Sequence, residues 1–482
     1  MSSNPIQTRD EAMRFLLEFV DYEKVTKYKY DIRTFNLGRV EDLMAAVGNP
    51  ERAFRSIHIA GTKGKGSTAT IAQSILTAAG FRTGLYTSPH LSRIEERMTV
   101  DGEMMPEEEF VQIVNELAPY TLRQREERPS ESPTFFELVT AAGFRHFARR
   151  RAELAVVEVG MGGRLDATNV IRPEVSVITR VDYDHEDRLG HTLDRIAFEK
   201  AGIIKPGVPV VCAPQEPEAL AVVAETAERR GAPLVRIGPD YRVENVRTGL
   251  DAQKAPFCRF DLNGRGGAHR GLELHMLGEH QATNAACAVA AVDLLAERCG
   301  LKVGPEAVRR GLDTARSPAR LEVFAGRPLV LLDGAHNPIS MRALCAALDG
   351  AFAGARLVLL MGVSRDKNVE AIFKLILPRA AAVIFTRSDS PRAAEPLALA
   401  ELARDLCGVR AEICDDARQA LQRARALARP DDLLCVTGSF FLAGMLRPAL
   451  LAGDARTGSA PANETGSALS SSILRRREAD RR

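Results

Sequence analysis

Short apolar runs alternate with segments of helical periodicity along most of the chain. Five short runs in the first half are predominantly apolar, which is typical of buried parallel strands. They cover residues 56–60, 83–86, 154–159, 175–179 and 208–212. An alanine-rich helical segment follows at 279–295. The pattern predicts a doubly wound α/β domain over residues 1–311.

A second alternating series occupies the rest of the chain up to about residue 452. Its apolar runs cover residues 329–332, 356–361, 382–385, 411–414 and 433–436. They predict a smaller C-terminal α/β domain over residues 321–452, joined to the first by a linker at 312–320 that contains Ser317 and Pro318. Residues 453–482 are rich in Ser, Ala, Gly and charge, so we expect a disordered, solvated tail.

Composition excludes several classes of protein. The chain has 482 residues and a formal net charge of +2, so no basic surface for nucleic acid is expected. Its eight cysteines form no C-x-x-C pair, as is usual for reduced thiols. The first ten residues lack a signal-peptide pattern, and no apolar run reaches the length of a membrane helix. We therefore expect a cytoplasmic protein with no nucleic-acid or membrane partner.

A glycine-rich turn carrying two lysines follows the first predicted strand. It is composed of Gly61, Thr62, Lys63, Gly64, Lys65, Gly66 and Ser67. Backbone N–H groups of such a turn approach an anion closely, and Lys65 adds positive charge. The spacing departs from the usual P-loop, because Gly66 separates Lys65 from Ser67. We interpret the turn as a phosphate-binding loop; a turn that only joins a strand to a helix is the alternative.

Other chemically capable residues follow later strands, at the edge where open α/β sheets bind ligands. Glu158 ends a strand before a second glycine-rich turn and would suit Mg²⁺, with capping of that turn as the alternative. Residues 182–190 gather carboxylates around His185, which indicates either a second metal site or a solvated acidic loop. Lys200 has apolar neighbours, which lower the pKa of an amine and make it modifiable. Asp333 and His336 directly follow a strand of the second series.

Taken in order, these motifs resemble those of the folylpolyglutamate synthase and dihydrofolate synthase family, a branch of the Mur ligase superfamily. The resemblance extends from about residue 36 to residue 444. It rests on residues 61–68, 87–91, 158–169, 184–190, 199–205, 320 and 333–338. It implies an N-terminal P-loop ATP-binding domain like the middle domain of Mur ligases, and a C-terminal α/β domain of Mur ligase type.

The resemblance also implies roles for particular residues. Catalysis would fall to Lys65, His185 and Lys200. Two Mg²⁺ ions would be held by Ser88, Glu158, His185 and Lys200, the last as a carbamyl-lysine. ATP would contact Gly61, Thr62, Lys63, Gly64, Lys65, Gly66, Ser67, Asn284, Arg320, Asp333 and His336. The pterin-bearing substrate would lie against Thr34, Phe35, Asn36, Leu37, Gly38, Arg39, Thr134, Phe135, Leu165, Asp166 and Ala167. Core packing is the alternative for Phe135 and for its neighbour Phe136.

The implied reaction is ATP-dependent addition of L-glutamate to dihydropteroate and to reduced folates through an acyl phosphate, catalysed by a monomer. Three alternatives stay open: folylpolyglutamate synthase activity only, a Mur-type ligase acting on a cell-wall precursor, and a nucleotide switch without catalysis. Lys63 stands where the family usually has asparagine. We expect it to add a second cation beside the phosphates.

Overall fold

The computed structural model describes residues 5–23, 30–31 and 34–454, and these residues form two compact units. The first comprises Met1–Arg247, Cys258–His275 and Glu279–Arg316, and the second comprises Thr248–Phe257, Met276–Gly278 and Ser317–Arg482. The tail predicted to begin at residue 453 lies outside the described residues from residue 455 onward.

The first unit is built on an eight-stranded sheet in the order β4-β3-β2-β5-β1-β6-β7-β8. Its strands are β1 (Arg55–Ala60), β2 (Thr83–Tyr86), β3 (Met98–Val100), β4 (Glu103–Met104), β5 (Leu154–Glu158), β6 (Val175–Ile178), β7 (Val210–Cys212) and β8 (Leu234–Arg236). The strands from β2 to β8 in this order are parallel, whereas β3 and β4 extend the edge in antiparallel pairing. All five predicted strands of this domain are confirmed, within two residues at each end.

Helices and short 3-10 turns connect these strands and cover the sheet. The helices are α1 (Arg9–Leu17), α2 (Leu37–Ala46), α3 (Lys65–Ala78), α4 (Glu107–Glu127), α5 (Phe135–Arg149), α6 (Glu186–Leu189), α7 (Leu193–Ala201), α8 (Pro217–Arg229), α9 (His280–Cys299) and α10 (Pro305–Thr314). The predicted alanine-rich helix is α9, which is buried along most of its length because small side chains let it pack closely on its neighbours. Helix α5 begins at a capping box formed by Thr134 and Glu137.

A three-stranded sheet near the middle of the chain was missed by the sequence analysis. It consists of β9 (Arg242–Leu250), β10 (Pro256–Gly264) and β11 (Gly267–Leu274), in the order β11-β10-β9, with β10 and β11 antiparallel. Charged and apolar residues are mixed along β9, and most of its residues stay accessible to solvent. Without a continuous apolar run, this segment carried no strong strand signal.

The second unit has a six-stranded sheet in the order β12-β13-β17-β14-β15-β16. Its strands are β12 (Glu322–Phe324), β13 (Leu329–Leu332), β14 (Leu357–Met361), β15 (Ala380–Phe385), β16 (Glu412–Ile413) and β17 (Leu433–Thr437), and its helices are α11 (Pro338–Gly350), α12 (Val369–Ile376), α13 (Pro396–Cys407), α14 (Ala417–Leu427) and α15 (Phe440–Asp454). All strands except β12 pair in parallel. The predicted smaller α/β domain is therefore confirmed.

The boundary between the units near Arg316 falls inside the segment predicted as a linker. Residues 312–314 of that segment are helical, because α10 continues to Thr314. Leu312 is fully buried. The chain leaves helical structure only at Ala315, two residues before Ser317 and Pro318.

Gly311 allows α10 to pack directly on the backbone of α3. A methyl group on Gly311 would lie 2.6 Å from the backbone nitrogen of Ile75, so the two helices would have to separate. We expect Gly311→Ala to lower the free energy of unfolding by about 2 kcal/mol, as overpacking does. Gly304→Ala is the matched control, because it lies at the start of the same helix with open space around it. Its expected loss is about 0.5 kcal/mol. Urea denaturation measures both, and equal losses would contradict the packing argument.

Candidate active site

Four neighbouring strands of the large sheet end at one edge, and a chemically capable segment follows or ends each of them. In sheet order they are β2, followed by Ser88; β5, which ends at Glu158; β1, followed by the glycine-rich turn; and β6, followed by the loop that carries His185. The backbone N–H of Ser88 donates to the Glu158 carboxylate at 3.2 Å. The structure therefore brings together four groups that lie far apart in the sequence.

The glycine-rich turn places a helix N-terminus at this edge. Helix α3 begins at Lys65, and Gly64 before it has a left-handed φ of 89°. A methyl group on Gly64 would overlap the side-chain oxygen of Asn284, so α9 packs directly on the turn. Ser67 is buried in the first turn of α3. The backbone N–H groups of a helix N-terminus and the helix dipole favour an anion at such a position.

Two lysine side chains converge on one carbonyl oxygen in the turn. The ammonium of Lys65 donates to the Gly61 carbonyl at 3.1 Å, and that of Lys200 donates to the same oxygen at 2.9 Å. Lys200 extends from α7 and is only 4% exposed. Burial lowers the pKa of Lys200 to about 7, and the charges of Lys65 and Lys63 act in the same direction. This concentration of positive charge suits a bound polyanion.

His185 lies in a left-handed backbone conformation, with φ of 53°, at the start of α6. Desolvation lowers the pKa of His185 to about 4, and the charges of Lys200, Arg188 and Lys65 contribute while Asp184 opposes them. A neutral imidazole is the form that can accept a proton or bind a metal ion.

The predicted magnesium ligands fit the ion only in part as unmodified side chains. Glu158 is 3% exposed and offers a carboxylate, and Ser88 offers a hydroxyl, both suited to Mg²⁺. The Lys200 amine is not an oxygen ligand, although its lowered pKa favours the neutral form that combines with carbon dioxide. Among residues 5–23, 30–31 and 34–454, no three His, Cys, Asp or Glu side chains are arranged to hold a metal ion. The acidic segment after β6 accordingly presents no such group among its described residues, and Glu186 and Asp187 are exposed.

The two segments predicted to line the substrate pocket are joined by a buried ion pair. The guanidinium of Arg39 in α2 binds Glu137 in α5 through both carboxylate oxygens, at 2.9 and 2.5 Å. Arg39 also donates to the Thr34 carbonyl at 3.2 Å, and the Thr134 N–H donates to Glu137 at 2.9 Å. Asn36 caps α2 by accepting from the N–H of Gly38. The structure thus brings residues 34–39 and the start of α5 together.

Removing one partner of this pair leaves the other as an unpaired buried charge. We expect Arg39→Met to lower the free energy of unfolding by about 3 kcal/mol, because the Glu137 carboxylate then has no counter-ion. The double variant Arg39→Met/Glu137→Leu is expected to recover much of that loss, apart from the cap of α5. Urea denaturation followed by circular dichroism measures both. A double variant no more stable than Arg39→Met would contradict this account of the pair.

Two aromatic side chains, Tyr30 and Phe136, lie close to the second glycine-rich turn at 160–163. Phe35 packs against Tyr22 and Tyr30, with ring centroids 5.0 and 5.1 Å apart. Phe135, the predicted substrate contact, is 3% exposed and belongs to the hydrophobic core. Its neighbour Phe136 is partly accessible, and a methyl group on Gly160 would lie 2.5 Å from its ring. Sequence alone could not separate these two phenylalanines, because α5 decides which one faces the core.

Leu165, Asp166 and Ala167 are all buried below this turn. The Asp166 carboxylate accepts from the N–H groups of Met161 and Thr168, each at 3.0 Å, and from the Thr168 hydroxyl. Burial raises the pKa of Asp166 against these hydrogen bonds. The Thr168 hydroxyl also contacts Nε2 of the fully buried His58 at 2.9 Å. Asp166 therefore fixes the shape of the turn, a role that sequence analysis did not assign to it.

The second unit brings Arg320, Asp333 and His336 together at the carboxyl end of β13. Asp333 accepts from the N–H groups of Leu321 and Ala335, both at 2.8 Å, and burial raises its pKa to about 6. The Arg320 guanidinium lies 5.0 Å from the centroid of the Phe440 ring, and the His336 ring lies 5.7 Å from it. Phe440 is thus a shared support for two predicted ligand-binding residues, and sequence analysis missed it.

Comparison with protein-family models defines the class of protein to which the chain belongs. Residues 59–292 match the Mur ligase middle domain, and residues 319–440 match the glutamate ligase domain of Mur ligases. Both sheets that end in candidate site residues therefore lie in Mur ligase domains.

Within the part of the chain that the structure describes, no helix has the length and apolar character of a membrane span.

Comparison with individual relatives identifies the family within the Mur ligases. The dihydrofolate synthase/folylpolyglutamate synthase of Bacillus subtilis (strain 168) is 34% identical over 420 residues, covering 86% of this chain and 94% of that protein. The chain belongs to the folylpolyglutamate synthase and dihydrofolate synthase family.

Solved structures agree with this assignment. Mycobacterium tuberculosis folylpolyglutamate synthase, complexed with ADP and AMPPCP, aligns with a TM-score of 0.79 and 36% identity, covering 86% of this chain and 95% of that one. An FPGS complex with AMPPCP and folate aligns with a TM-score of 0.78 and 31% identity, covering 92% of this chain and all of that one. These alignments extend over both units.

Proposed function

We propose that this protein is an ATP-dependent ligase that adds L-glutamate to dihydropteroate and to reduced folates. The observation that carries this proposal is that the ammonium groups of Lys65 and Lys200 both donate to the Gly61 carbonyl. Glu158 lies beside them on the neighbouring strand. A phosphate-binding turn next to a carboxylate and a modifiable lysine is suited to phosphoryl transfer onto an acceptor carboxylate. Relatives that bind AMPPCP and folate support the same substrates.

In the proposed reaction, an acceptor carboxylate oxygen attacks the γ-phosphorus of ATP and releases ADP. The amine of glutamate then displaces phosphate from the acyl phosphate and forms the amide. The protein positions the reactants and neutralises charge, because phosphoryl transfer needs little covalent participation from side chains. The N–H groups at the N-terminus of α3 and the Lys65 ammonium would stabilise the transferred phosphoryl group. Asn284 is proposed to contact the nucleotide from α9, and Arg320, Asp333 and His336 are likewise proposed as nucleotide contacts.

Mg²⁺ is proposed as the cofactor, and bound Mg²⁺ would neutralise phosphate charge. Ser88 and Glu158 would hold it through oxygen, as the ion requires. Carbamylation of Lys200 would convert its amine into an anionic oxygen ligand, and His185 would provide a neutral nitrogen. Lys200 is poised for this modification because its pKa of about 7 leaves much of the amine neutral near that pH.

The folate pocket is proposed to lie between residues 34–39, the start of α5 and the turn at 160–167. Phe35 and Phe136 are partly accessible aromatic side chains there, so we assign stacking on the substrate to them. Arg39 and Asp166 would hold the pocket in shape through their buried contacts, without requiring direct contact with the ligand.

Activity with both acceptors tests the proposal. Purified protein is supplied with Mg-ATP, L-glutamate and either dihydropteroate or tetrahydrofolate, and ADP release is measured together with the mass of each product. We expect a product heavier by one glutamate from both acceptors. A product from tetrahydrofolate alone would leave folylpolyglutamate synthase activity only. No product from either acceptor would contradict the proposal and favour a ligase for a cell-wall precursor or a nucleotide switch.

We also propose that the enzyme works as a cytoplasmic monomer without a nucleic-acid partner. All eight cysteines lie among the described residues and none forms a disulfide, as expected in a reducing compartment. The near-neutral net charge of +2 offers no general attraction to nucleic acid. Gel filtration with light scattering measures the oligomeric state directly.

A further inference from the structure

Lys63 lies in the phosphate-binding turn, but its ammonium is engaged by a carboxylate of another loop. It donates to Oδ2 of Asp184 at 2.9 Å, and each side chain of this pair is about 30% exposed or less. Asp184 follows β6, and its other oxygen, Oδ1, accepts from the backbone N–H of His185 at 3.1 Å. A single carboxylate therefore connects the Lys63 side chain to the backbone of His185.

The same two segments are also joined through backbone groups. The N–H groups of Thr62 and Lys63 both donate to the Arg180 carbonyl, at 2.9 and 3.2 Å. The Thr62 hydroxyl donates to the Asp182 carbonyl at 2.9 Å and accepts from the Asp182 N–H at 3.0 Å. These contacts hold the loop after β6 to the turn as far as Asp182. The Lys63–Asp184 pair extends the attachment by two residues, to Asp184, which directly precedes His185.

His185 needs such support because its backbone has a left-handed conformation. Its φ of 53° is uncommon for a residue with a β-carbon and costs free energy, so the surrounding contacts must maintain it. The hydrogen bond from the His185 N–H to Asp184 is one such contact, and the Lys63 ammonium restrains the carboxylate that accepts it. Because the negative charge of Asp184 offsets that of the Lys63 ammonium, Lys63 is less suited than Lys65 to attract a phosphate.

We propose that Lys63 is a positioning residue, whose ion pair with Asp184 fixes the loop carrying His185 against the phosphate-binding turn. The inference rests on the proposed function for its link to catalysis, since His185 is the residue being positioned. It differs from the expectation that Lys63 adds a second cation to the phosphates. A positioning role lowers kcat with little effect on nucleotide affinity, whereas a phosphate ligand acts on nucleotide affinity directly.

Four variants separate the two roles: Lys63→Met, Lys63→Arg, Asp184→Asn and the double variant Lys63→Met/Asp184→Asn. We expect kcat at saturating substrates to fall about fivefold in Lys63→Met, the size of a partly exposed ion pair. Asp184→Asn and the double variant are expected to show the same loss, because one interaction is removed in all three. Lys63→Arg should retain most of kcat, and the Kd for AMPPCP should stay near that of the wild-type protein throughout.

The opposite pattern would overturn the proposal. If Lys63 is a phosphate ligand, Lys63→Met weakens AMPPCP binding at least tenfold, while Asp184→Asn binds AMPPCP as well as the wild-type protein or better. Losses of kcat that add in the double variant would also contradict a shared role. Thermal denaturation of each variant verifies that both units remain folded.

Hydrogen exchange tests the inference even if ligase activity is absent. In the protein without nucleotide, Lys63→Met and Asp184→Asn should both speed amide exchange in residues 183–189. Residues 98–104, at the edge of the sheet formed by β3 and β4, should exchange as in the wild-type protein. Unchanged exchange in residues 183–189 would contradict the positioning role. Failure of the proposed function would instead appear as a wild-type protein that forms no glutamylated product.

Discussion

Lys65→Ala is expected to abolish ligase turnover while the chain remains folded. The Lys65 ammonium lies over the glycine-rich turn at the N-terminus of α3, where the phosphates are proposed to bind. Removing a cation that stabilises a transferred phosphoryl group is expected to lower kcat by about 10³-fold. Lys65 is only partly buried, so its stem contributes little to the core. ADP release at saturating substrates measures the loss.

An exposed lysine on the same unit provides the control for this result. Lys302 lies just before α10, away from the carboxyl ends of the strands, and is exposed to solvent. We expect Lys302→Ala to retain wild-type turnover and both variants to melt near the wild-type temperature. Turnover of Lys65→Ala equal to that of Lys302→Ala would contradict the assignment of the phosphate site.

Removal of carbon dioxide is expected to lower turnover by about 100-fold, because Lys200 would lose its anionic oxygen ligand. Carbamylation joins the neutral amine to carbon dioxide and releases a proton, so it requires the deprotonated form of Lys200. The pKa of Lys200 is lowered to about 7 by burial and by the charges of Lys65 and Lys63. The modified fraction should therefore rise with pH through about 7. Labelled bicarbonate and ¹³C NMR detect the carbamate directly.

Lys200→Met is the control for the carbamate signal and for the rescue of turnover by bicarbonate. Bicarbonate should restore turnover to the stripped wild-type protein, whereas it should restore neither signal nor turnover to Lys200→Met. Before modification, the lowered pKa also affects stability. Above pH 7 the unfolded chain binds the proton that the folded protein has lost, so the free energy of unfolding should rise with pH toward about 10. A stripped protein with full turnover and no carbamate signal would contradict this assignment.

The parallel strands could be predicted from sequence because each is a short, predominantly apolar run. Residues 83–86 and 329–332 were predicted with the bounds that β2 and β13 have. The sheet formed by β9, β10 and β11 could not be predicted in the same way, since its strands alternate irregularly and remain largely solvated. The predicted linker overlapped α10 because Leu312 is a buried helical residue beside polar ones.

The candidate site was predictable as a set of strand ends but not as a set of contacts. Glu158 and the glycine-rich turn each occur next to an apolar run, which is a signal in the sequence itself. By contrast, Lys65 and Lys200 donate to the same carbonyl although they are 135 positions apart. No local sequence pattern predicts such a contact. The same holds for the Phe440 ring between Arg320 and His336, since an aromatic residue at a helix start usually indicates core packing.

Transfer of an oxygen atom from the acceptor carboxylate to inorganic phosphate tests ligation through an acyl phosphate most directly. Dihydropteroate labelled with ¹⁸O in its carboxylate is supplied with Mg-ATP and L-glutamate, and the inorganic phosphate and the folate product are analysed by mass spectrometry. If the carboxylate attacks the γ-phosphorus of ATP and glutamate then displaces phosphate, each turnover leaves one ¹⁸O atom in the phosphate and forms one glutamyl amide. Unlabelled phosphate, or phosphate released without the glutamyl amide, would contradict ligation through an acyl phosphate.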